Sequence, residues 1–185
     1  MKTELLDFSL DRMLLAVEKV RERLIRATEA LNRPGVAYAV VGGNAVAVWV
    51  ARVDVSAVRN TRDVDVLVRR EDFNQVKAAL AQAGFVQGDQ MAGQSFDDLA
   101  DNARNALKVY FEDERANLAD GEEAGDFRVL SLPALVRIKL TAFRDKDRTH
   151  LRDMIDVGLI DASWLDRLPT PLAARLKSLI DTPNG

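Results

Sequence analysis

Apolar residues recur along this chain with two periods, and the change of period separates predicted helices from predicted strands. Residues 9–32 carry apolar side chains at helical spacing with charged side chains between them, and Ser9 is the predicted cap. Residues 36–41 and 63–68 are short, nearly continuous apolar runs, which are typical of buried strands. The segment 44–52 is almost wholly apolar and predicts a buried helix between those strands.

The remainder of the chain is predicted to contain three more strands, followed at its C-terminal end by consecutive helices. Strands are predicted at 85–86, 106–112 and 127–130, and helices at 72–83, 131–143, 147–157, 161–167 and 171–181. Ser131 is the predicted cap of its helix, and Pro133 fits the first turn. Two stretches, 88–105 and 113–125, have a diluted apolar pattern and are predicted to be largely irregular.

These elements predict an α+β protein. We expect a leading helix over 1–35, an α/β core over 36–130 and a C-terminal helical cap over 131–185.

Composition narrows the functional classes. The chain has 185 residues, 48% of them hydrophobic, and a net charge of −3, so its charge gives no indication of sequence-independent nucleic-acid binding. It contains no cysteine, which excludes disulfides, thiolate metal sites and a cysteine nucleophile. No apolar run approaches the ~20 residues of a membrane span, and the N-terminus has no signal-peptide pattern. We therefore expect a cytoplasmic protein without a membrane partner.

Chemistry is concentrated in two short motifs. Gly42-Gly43 follows the first apolar strand and turns the backbone into the next helix. Asp63 and Asp65 lie one residue apart in the second apolar run, so a strand would place them on one face, roughly 6–7 Å apart. Two carboxylates on a buried strand require a cation between them, and Mg²⁺ prefers such oxygens. The alternative is a solvated edge strand that carries two aspartates.

The order and spacing of these motifs resemble the nucleotidyltransferase superfamily that includes DNA polymerase beta. Its signature is a strand, a glycine turn, a helix, and Asp-hydrophobic-Asp on the next strand. Within the superfamily, the chain looks most like the minimal bacterial members, including those of abortive-infection toxin type. This closer likeness lies in the run from Arg59 to Asp65, in Lys139 and in the Arg-Asp-Lys-Asp run at 144–147. The resemblance implies a mixed β-sheet flanked by helices.

The resemblance also implies residue roles. Asp63 and Asp65 would bind Mg²⁺, whereas Gly42, Gly43 and Asn44 would lie at the phosphates of a nucleoside triphosphate.

Three further residues are candidates for the same site. Thr61 or Arg59 would brace the carboxylates or touch a phosphate, and ordinary loop residues are the alternative. Lys139, on an otherwise apolar helix, either reaches a phosphate or extends its ammonium to solvent.

A third carboxylate usually comes from a neighbouring strand in this superfamily. The matching strand is 106–112, and the position that aligns is Tyr110. Glu112, on the same face, is the candidate substitute as metal ligand or base, with an exposed strand-end glutamate as the alternative. His150 is the only histidine and is predicted to be structural or exposed.

Three hypotheses follow. The first is an active Mg²⁺-dependent nucleotidyltransferase whose acceptor is a hydroxyl of a protein, an RNA end or a small molecule. The toxin-type resemblance adds a protein partner such as an antitoxin. The second is a nucleotide-binding or partner-binding module without turnover, and the third is a scaffold in which the motifs are incidental.

Overall fold

A single mixed sheet organises the chain in the computed structural model, which describes residues 10–88 and 94–183. Seven strands lie in the order β3-β4-β5-β2-β1-β7-β6. Their bounds are β1 Tyr38–Val41, β2 Val64–Val68, β3 Phe85–Gln87, β4 Gln94–Asp98, β5 Ala103–Phe111, β6 Gly121–Ala124 and β7 Phe127–Leu130. β2 pairs in parallel with β5 and antiparallel with β1, and β1 pairs in parallel with β7. The sheet is therefore mixed, which confirms the predicted α+β class.

Helices cover both faces of this sheet. They are α1 Leu10–Asn32, α2 Gly42–Ala51, α3 Phe73–Gln82, α4 Leu132–Ala142, α5 Asp145–Asp156 and α6 Thr170–Asp181. α1 and α3 pack on one face with Val64, Val66 and Val68 of β2. α2, α4, α5 and α6 pack on the other face, where Leu67 contributes to the core. Because both faces are covered, every residue of β1 and β2 is buried, which explains their continuous apolar runs.

The alternation of side chains along β2 decides where its aspartate points. Residues two apart on a strand share a face, so Asp65 projects with Leu67 toward α2 and α4. The valines at 64, 66 and 68 project to the opposite side. Asp65 therefore lies on the face that also holds the start of α2.

The two stretches predicted to be largely irregular contain short strands. The stretch 88–105 contains β4 and the first residues of β5, and 113–125 contains β6. Neither short strand is rich in β-forming residues, but β4 pairs with β3 and β5, and β6 pairs with β7. Tertiary pairing thus outweighs weak local propensity. In β6, Glu122 and Glu123 are exposed on the sheet edge, where charged side chains discourage further pairing.

The α-helix boundaries follow the predicted ones within a few residues, and the helix predicted at 161–167 is a 3-10 helix over Ala162–Arg167. Ser131 occupies the N-cap position of α4, as predicted, but its side chain makes no capping hydrogen bond. Pro133 lies in the first turn of α4, as predicted. The predicted cap Ser9 lies outside the described residues. Within 10–88 and 94–183, we find no helix of the length and apolarity that crossing a membrane requires.

Candidate active site

The turn between β1 and α2 has a backbone that only glycine tolerates well. Gly42 has φ +68°, in the left-handed region that side chains disfavour. A Cβ placed on Gly42 would lie 2.0 Å from Oδ2 of Asp65, so the turn is in contact with the carboxylate of the neighbouring strand. Val41 precedes α2 in an extended conformation and offers no side-chain cap. The first N–H groups of α2 are consequently open to an anionic ligand.

The carboxylate pair opens into a cavity of about 820 Å³. Asp65 is opposite Val41 in the β1–β2 register, and Asp63 lies one residue before β2 begins. Gly42, Gly43, Asp63 and Asp65 all line this cavity. Burial raises the pKa of Asp65 above its ordinary value, and the positive charge of Lys108 opposes that effect.

A lysine that the sequence interpretation did not assign to the site lies against this pair. Nζ of Lys108 donates to Oδ2 of Asp63 at 2.6 Å. The β2–β5 register places Lys108 opposite Asp65 and Tyr110 opposite Leu67. Lys108, and not Tyr110, is therefore the β5 residue opposite Asp65. The hydrogen bond to Asp63 raises the pKa of Lys108, which keeps it charged.

Lys139 lines the same cavity from α4 and is itself buried. Its Nζ donates to Oδ1 of Asp147 at 3.0 Å, and Nε of Arg144 donates to Oδ2 of the same carboxylate at 2.8 Å. Burial lowers the pKa of Lys139, although the Asp147 hydrogen bond opposes it. Burial alone would raise the pKa of Asp147, but the two donors outweigh it and lower the pKa. Lys139 is thus held by an ion pair and does not extend into solvent.

Three predicted residues brace the site or lie beside it and are not among the cavity-lining residues. Asn44 is buried and its Nδ2 donates to the Asp63 carbonyl at 2.8 Å, which fixes the backbone before β2. Thr61 lies under Gly43, 2.8 Å from where a Cβ of that glycine would be. Arg59 donates from Nε and Nη2 to Asp153 of α5, at 2.9 and 2.8 Å, and is largely exposed.

Glu112 lines the cavity just beyond the end of β5. One oxygen accepts from the Leu118 N–H at 3.3 Å, and the other is 3.7 Å from Nε of Arg69. The carboxylate is therefore oriented by two weak contacts but remains at the cavity wall.

His150 is buried, with Cε1 3.6 Å from a Cβ placed on Gly43. Burial, together with the positive charges of Lys139 and Lys146, lowers its pKa to about 4. The imidazole is accordingly neutral near pH 7 and lies against the glycine turn. Its place follows from the packing of α5 on α2, which the local sequence around residue 150 does not reveal.

The two carboxylates would suffice for one Mg²⁺ ion whose coordination is completed by oxygens from outside the protein. Among residues 10–88 and 94–183, no three His, Cys, Asp or Glu side chains come together as a metal site. Mg²⁺ is commonly held by one or two carboxylates, with phosphate and water oxygens completing its octahedron. Asp63 and Asp65 match that requirement next to an open helix N-terminus.

Comparison with solved structures finds proteins of the same architecture. An antigenic nucleotidyltransferase-like protein from Paracoccidioides brasiliensis is similar with a TM-score of 0.60 and 14% identity, over 90% of this chain and 89% of that one. JHP933 from Helicobacter pylori is similar with a TM-score of 0.54 and 18% identity, over 95% and 78%. ANT(2'')-Ia in complex with adenylyl-2''-tobramycin has a TM-score of 0.53 and 15% identity, over 87% and 98%.

Comparison with sequence families and with curated protein sequences finds no match. The likeness therefore lies in the three-dimensional arrangement, and it extends over most of each chain. The likeness places this chain, with its seven-stranded mixed sheet and flanking helices, in the nucleotidyltransferase-like fold.

Proposed function

We propose that this protein is a Mg²⁺-dependent nucleotidyltransferase that moves a nucleoside monophosphate from a triphosphate to a hydroxyl group. The observation that carries this proposal is the contact between Gly42 and the Asp65 carboxylate inside one cavity. A phosphate-binding turn and a metal-binding pair are useful for this reaction only when they are adjacent.

The cavity supplies groups suited to a triphosphate. The N–H groups at the start of α2 approach the phosphates, and the helix dipole favours their negative charge. Asp63 and Asp65 would hold Mg²⁺, which when bound neutralises phosphate charge and orients the oxygens. Three basic residues line the cavity and provide further positive charge. Lys139 lies on α4, Arg144 in the turn between α4 and α5, and Lys146 in the first turn of α5.

The reaction forms a bond between the acceptor oxygen and the α-phosphorus, breaks the α–β phosphoanhydride bond and releases pyrophosphate. The acceptor proton must leave in the same process. Glu112 is the candidate base, because it lines the cavity and is not a member of the proposed metal pair. A Glu112→Gln variant that keeps full turnover would remove it from the mechanism.

A second candidate function is a nucleotide-binding module without turnover. It is favoured by the ion pair between Lys108 and Asp63, and by the absence of a third carboxylate beside the pair in the described part of the chain. Such a module would bind nucleotide with Mg²⁺ and transfer nothing.

We propose the acceptor and the partner only as chemical classes. ANT(2'')-Ia has been crystallised in complex with adenylyl-2''-tobramycin, which supports a small hydroxylated acceptor here. The motif resemblance to toxin-type enzymes supports a protein side chain or an RNA end as acceptor, and an antitoxin as partner.

Transfer of label from α-labelled nucleotides tests the enzyme. The protein is incubated with each of the four labelled triphosphates, Mg²⁺ and a cell extract. We expect label in an acceptor with the wild type, none with Asp65→Asn, and wild-type transfer with Asp126→Asn, which changes an exposed aspartate in the β6–β7 turn. Label that persists in Asp65→Asn would contradict the assignment of the site.

Isothermal titration separates the two candidates. Binding of a triphosphate that requires Mg²⁺, without label transfer to any acceptor, supports the binding module. If no triphosphate binds in the presence of Mg²⁺, both candidates are wrong.

A further inference from the structure

The carboxylate pair already has a cation of its own. The Lys108 ammonium is 2.6 Å from Oδ2 of Asp63, and the two side chains are 35% and 29% exposed. Lys108 stands opposite Asp65 in the strand register, so its ammonium reaches Asp63 from the strand adjacent to Asp65. A divalent ion held by both carboxylates would compete with this ammonium for Asp63.

The empty protein is therefore a poor site for a free divalent ion. Among the described residues, no third carboxylate joins Asp63 and Asp65 as a metal cluster, and Asp63 is ion-paired. Mg²⁺ gives up its water reluctantly and usually needs substrate phosphates to complete its coordination. Displaced from Asp63, the Lys108 ammonium would move into a cavity that is also lined by Lys139 and Lys146, where it would meet like charge.

We propose that Lys108 acts as the resident cation of the Asp63–Asp65 pair, and that a divalent ion enters only together with a triphosphate, which takes over the Lys108 ammonium. This inference rests on the proposed function and adds an obligatory binding order to it. A triphosphate supplies what the metal and the displaced lysine both need. Its oxygens complete the metal coordination, and they also accept hydrogen bonds from the displaced Lys108 ammonium. Every charged group then has a partner before and after the exchange.

The flexible stem of lysine suits this exchange. Lys108 has a flexible four-carbon stem, is about one-third exposed and lines the cavity where the phosphates would lie. It is a positioning residue in the empty state and a phosphate contact in the loaded state.

Binding of Mn²⁺ to the nucleotide-free protein provides a direct test, because it is read by electron paramagnetic resonance without any turnover. We expect weak binding to the wild type and binding at least about tenfold tighter to Lys108→Met, since removal of the competing charge frees Asp63. Lys108→Arg, which keeps the charge, should bind Mn²⁺ as weakly as the wild type. Lys77→Met, which removes a lysine from α3 on the other side of the sheet, should also leave the affinity unchanged.

Equal Mn²⁺ affinities of wild type and Lys108→Met would overturn the proposal, as would tight binding of free Mn²⁺ to the wild type. Lys108→Gln provides a second charge-free variant if Lys108→Met does not fold. A separate measurement uses the complex of Mn²⁺ with inorganic triphosphate, which has no base and no bond to a nucleoside. Its binding to the wild type supports the proposed order.

Failure of the proposed function gives a different result. If the Mn²⁺–triphosphate complex does not bind while Lys108→Met still gains Mn²⁺ affinity, the ion-pair competition is correct and the nucleotide site is wrong. If the complex binds and the Lys108 variants do not change free Mn²⁺ affinity, the nucleotide site stands and the role of Lys108 is wrong.

Discussion

At the residue scale, Gly42 and Asp147 are two positions of the site that have no room to move. Gly42 combines a left-handed backbone with direct contact to Asp65, and Asp147 binds two cations while almost fully buried. Such positions respond strongly to single substitutions, because neither strain nor an unpaired buried charge can relax into solvent.

Gly42→Ala should lower the free energy of unfolding by more than the backbone strain alone explains. Gly35 has a similar φ of +72°, and a Cβ added there would meet none of the described atoms within 4 Å, so Gly35→Ala reports only the strain, about 1 kcal/mol. Gly42→Ala should lose about 1–3 kcal/mol more, because the methyl group collides with Asp65. Urea unfolding measures both losses. Equal losses would mean that Asp65 does not touch the turn.

Asp147→Ala should be strongly destabilising, by about 3–5 kcal/mol, because Lys139 would be left buried without its partner. Asp145→Ala on the same helix is the matched control. The Asp145 side chain is 92% exposed, and its ion pair with Arg148 lies in solvent, so we expect a loss below about 1 kcal/mol. Denaturant unfolding at pH 7 compares them. Similar losses would contradict the buried Lys139–Asp147 pair.

At the element scale, α1 is attached to the sheet by charge as well as by apolar packing. Arg23 is buried and donates to Asp98 at 3.0 Å, to Asp101 at 2.6 Å and to the Arg62 carbonyl at 2.9 Å. These bonds join the helix to the end of β4 and to the segment that leads into Asp63. The position of α1 is therefore coupled to the start of the carboxylate motif.

Arg23→Met should cost about 3–5 kcal/mol of unfolding free energy, because Asp98 would lose one of its two arginine partners while buried. Arg21→Met is the matched control on the same helix. Arg21 pairs with exposed Glu18, so its loss should stay within about 0.5 kcal/mol. Chemical denaturation tests both variants. A small loss in Arg23→Met would indicate that apolar contacts alone hold α1.

At the scale of the whole molecule, the packing of α5 on α2 encloses His150 beside the glycine turn. The folded protein keeps this imidazole neutral, whereas the unfolded chain protonates it near pH 6.5. As the pH falls from about 6.5 to about 4, the unfolded state takes up the proton first, and stability decreases.

His150→Gln should remove this part of the acid sensitivity. We expect the stability difference between wild type and His150→Gln to shift against the wild type by about 3 kcal/mol between pH 7 and pH 4, and to stay constant above pH 7. Urea unfolding across this range measures it, and the carboxylates contribute equally to both proteins. If the stability of the two proteins changed in parallel with pH, the pKa of His150 would be the same in the folded protein as in the unfolded chain.

Much of the architecture could be predicted from local patterns along the chain. β7 was predicted at 127–130 and is found there, and β1 and β2 were recognised from their apolar runs. β4 was missed because Gln94–Asp98 contains a single large apolar residue and is a strand only through its neighbours.

The sequence by itself determined the strand-turn-helix unit and the candidates Gly42, Asp63 and Asp65, because these depend on local backbone preference and on the two-residue period of a strand. Only the tertiary structure decided that Lys108 pairs with Asp63, that Lys139 pairs with Asp147 at the same cavity, and that Arg59 turns away to Asp153. The register between β2 and β5 sets the first of these contacts, and helix packing sets the other two. Both depend on the joint burial of segments far apart in the chain, which no local pattern encodes.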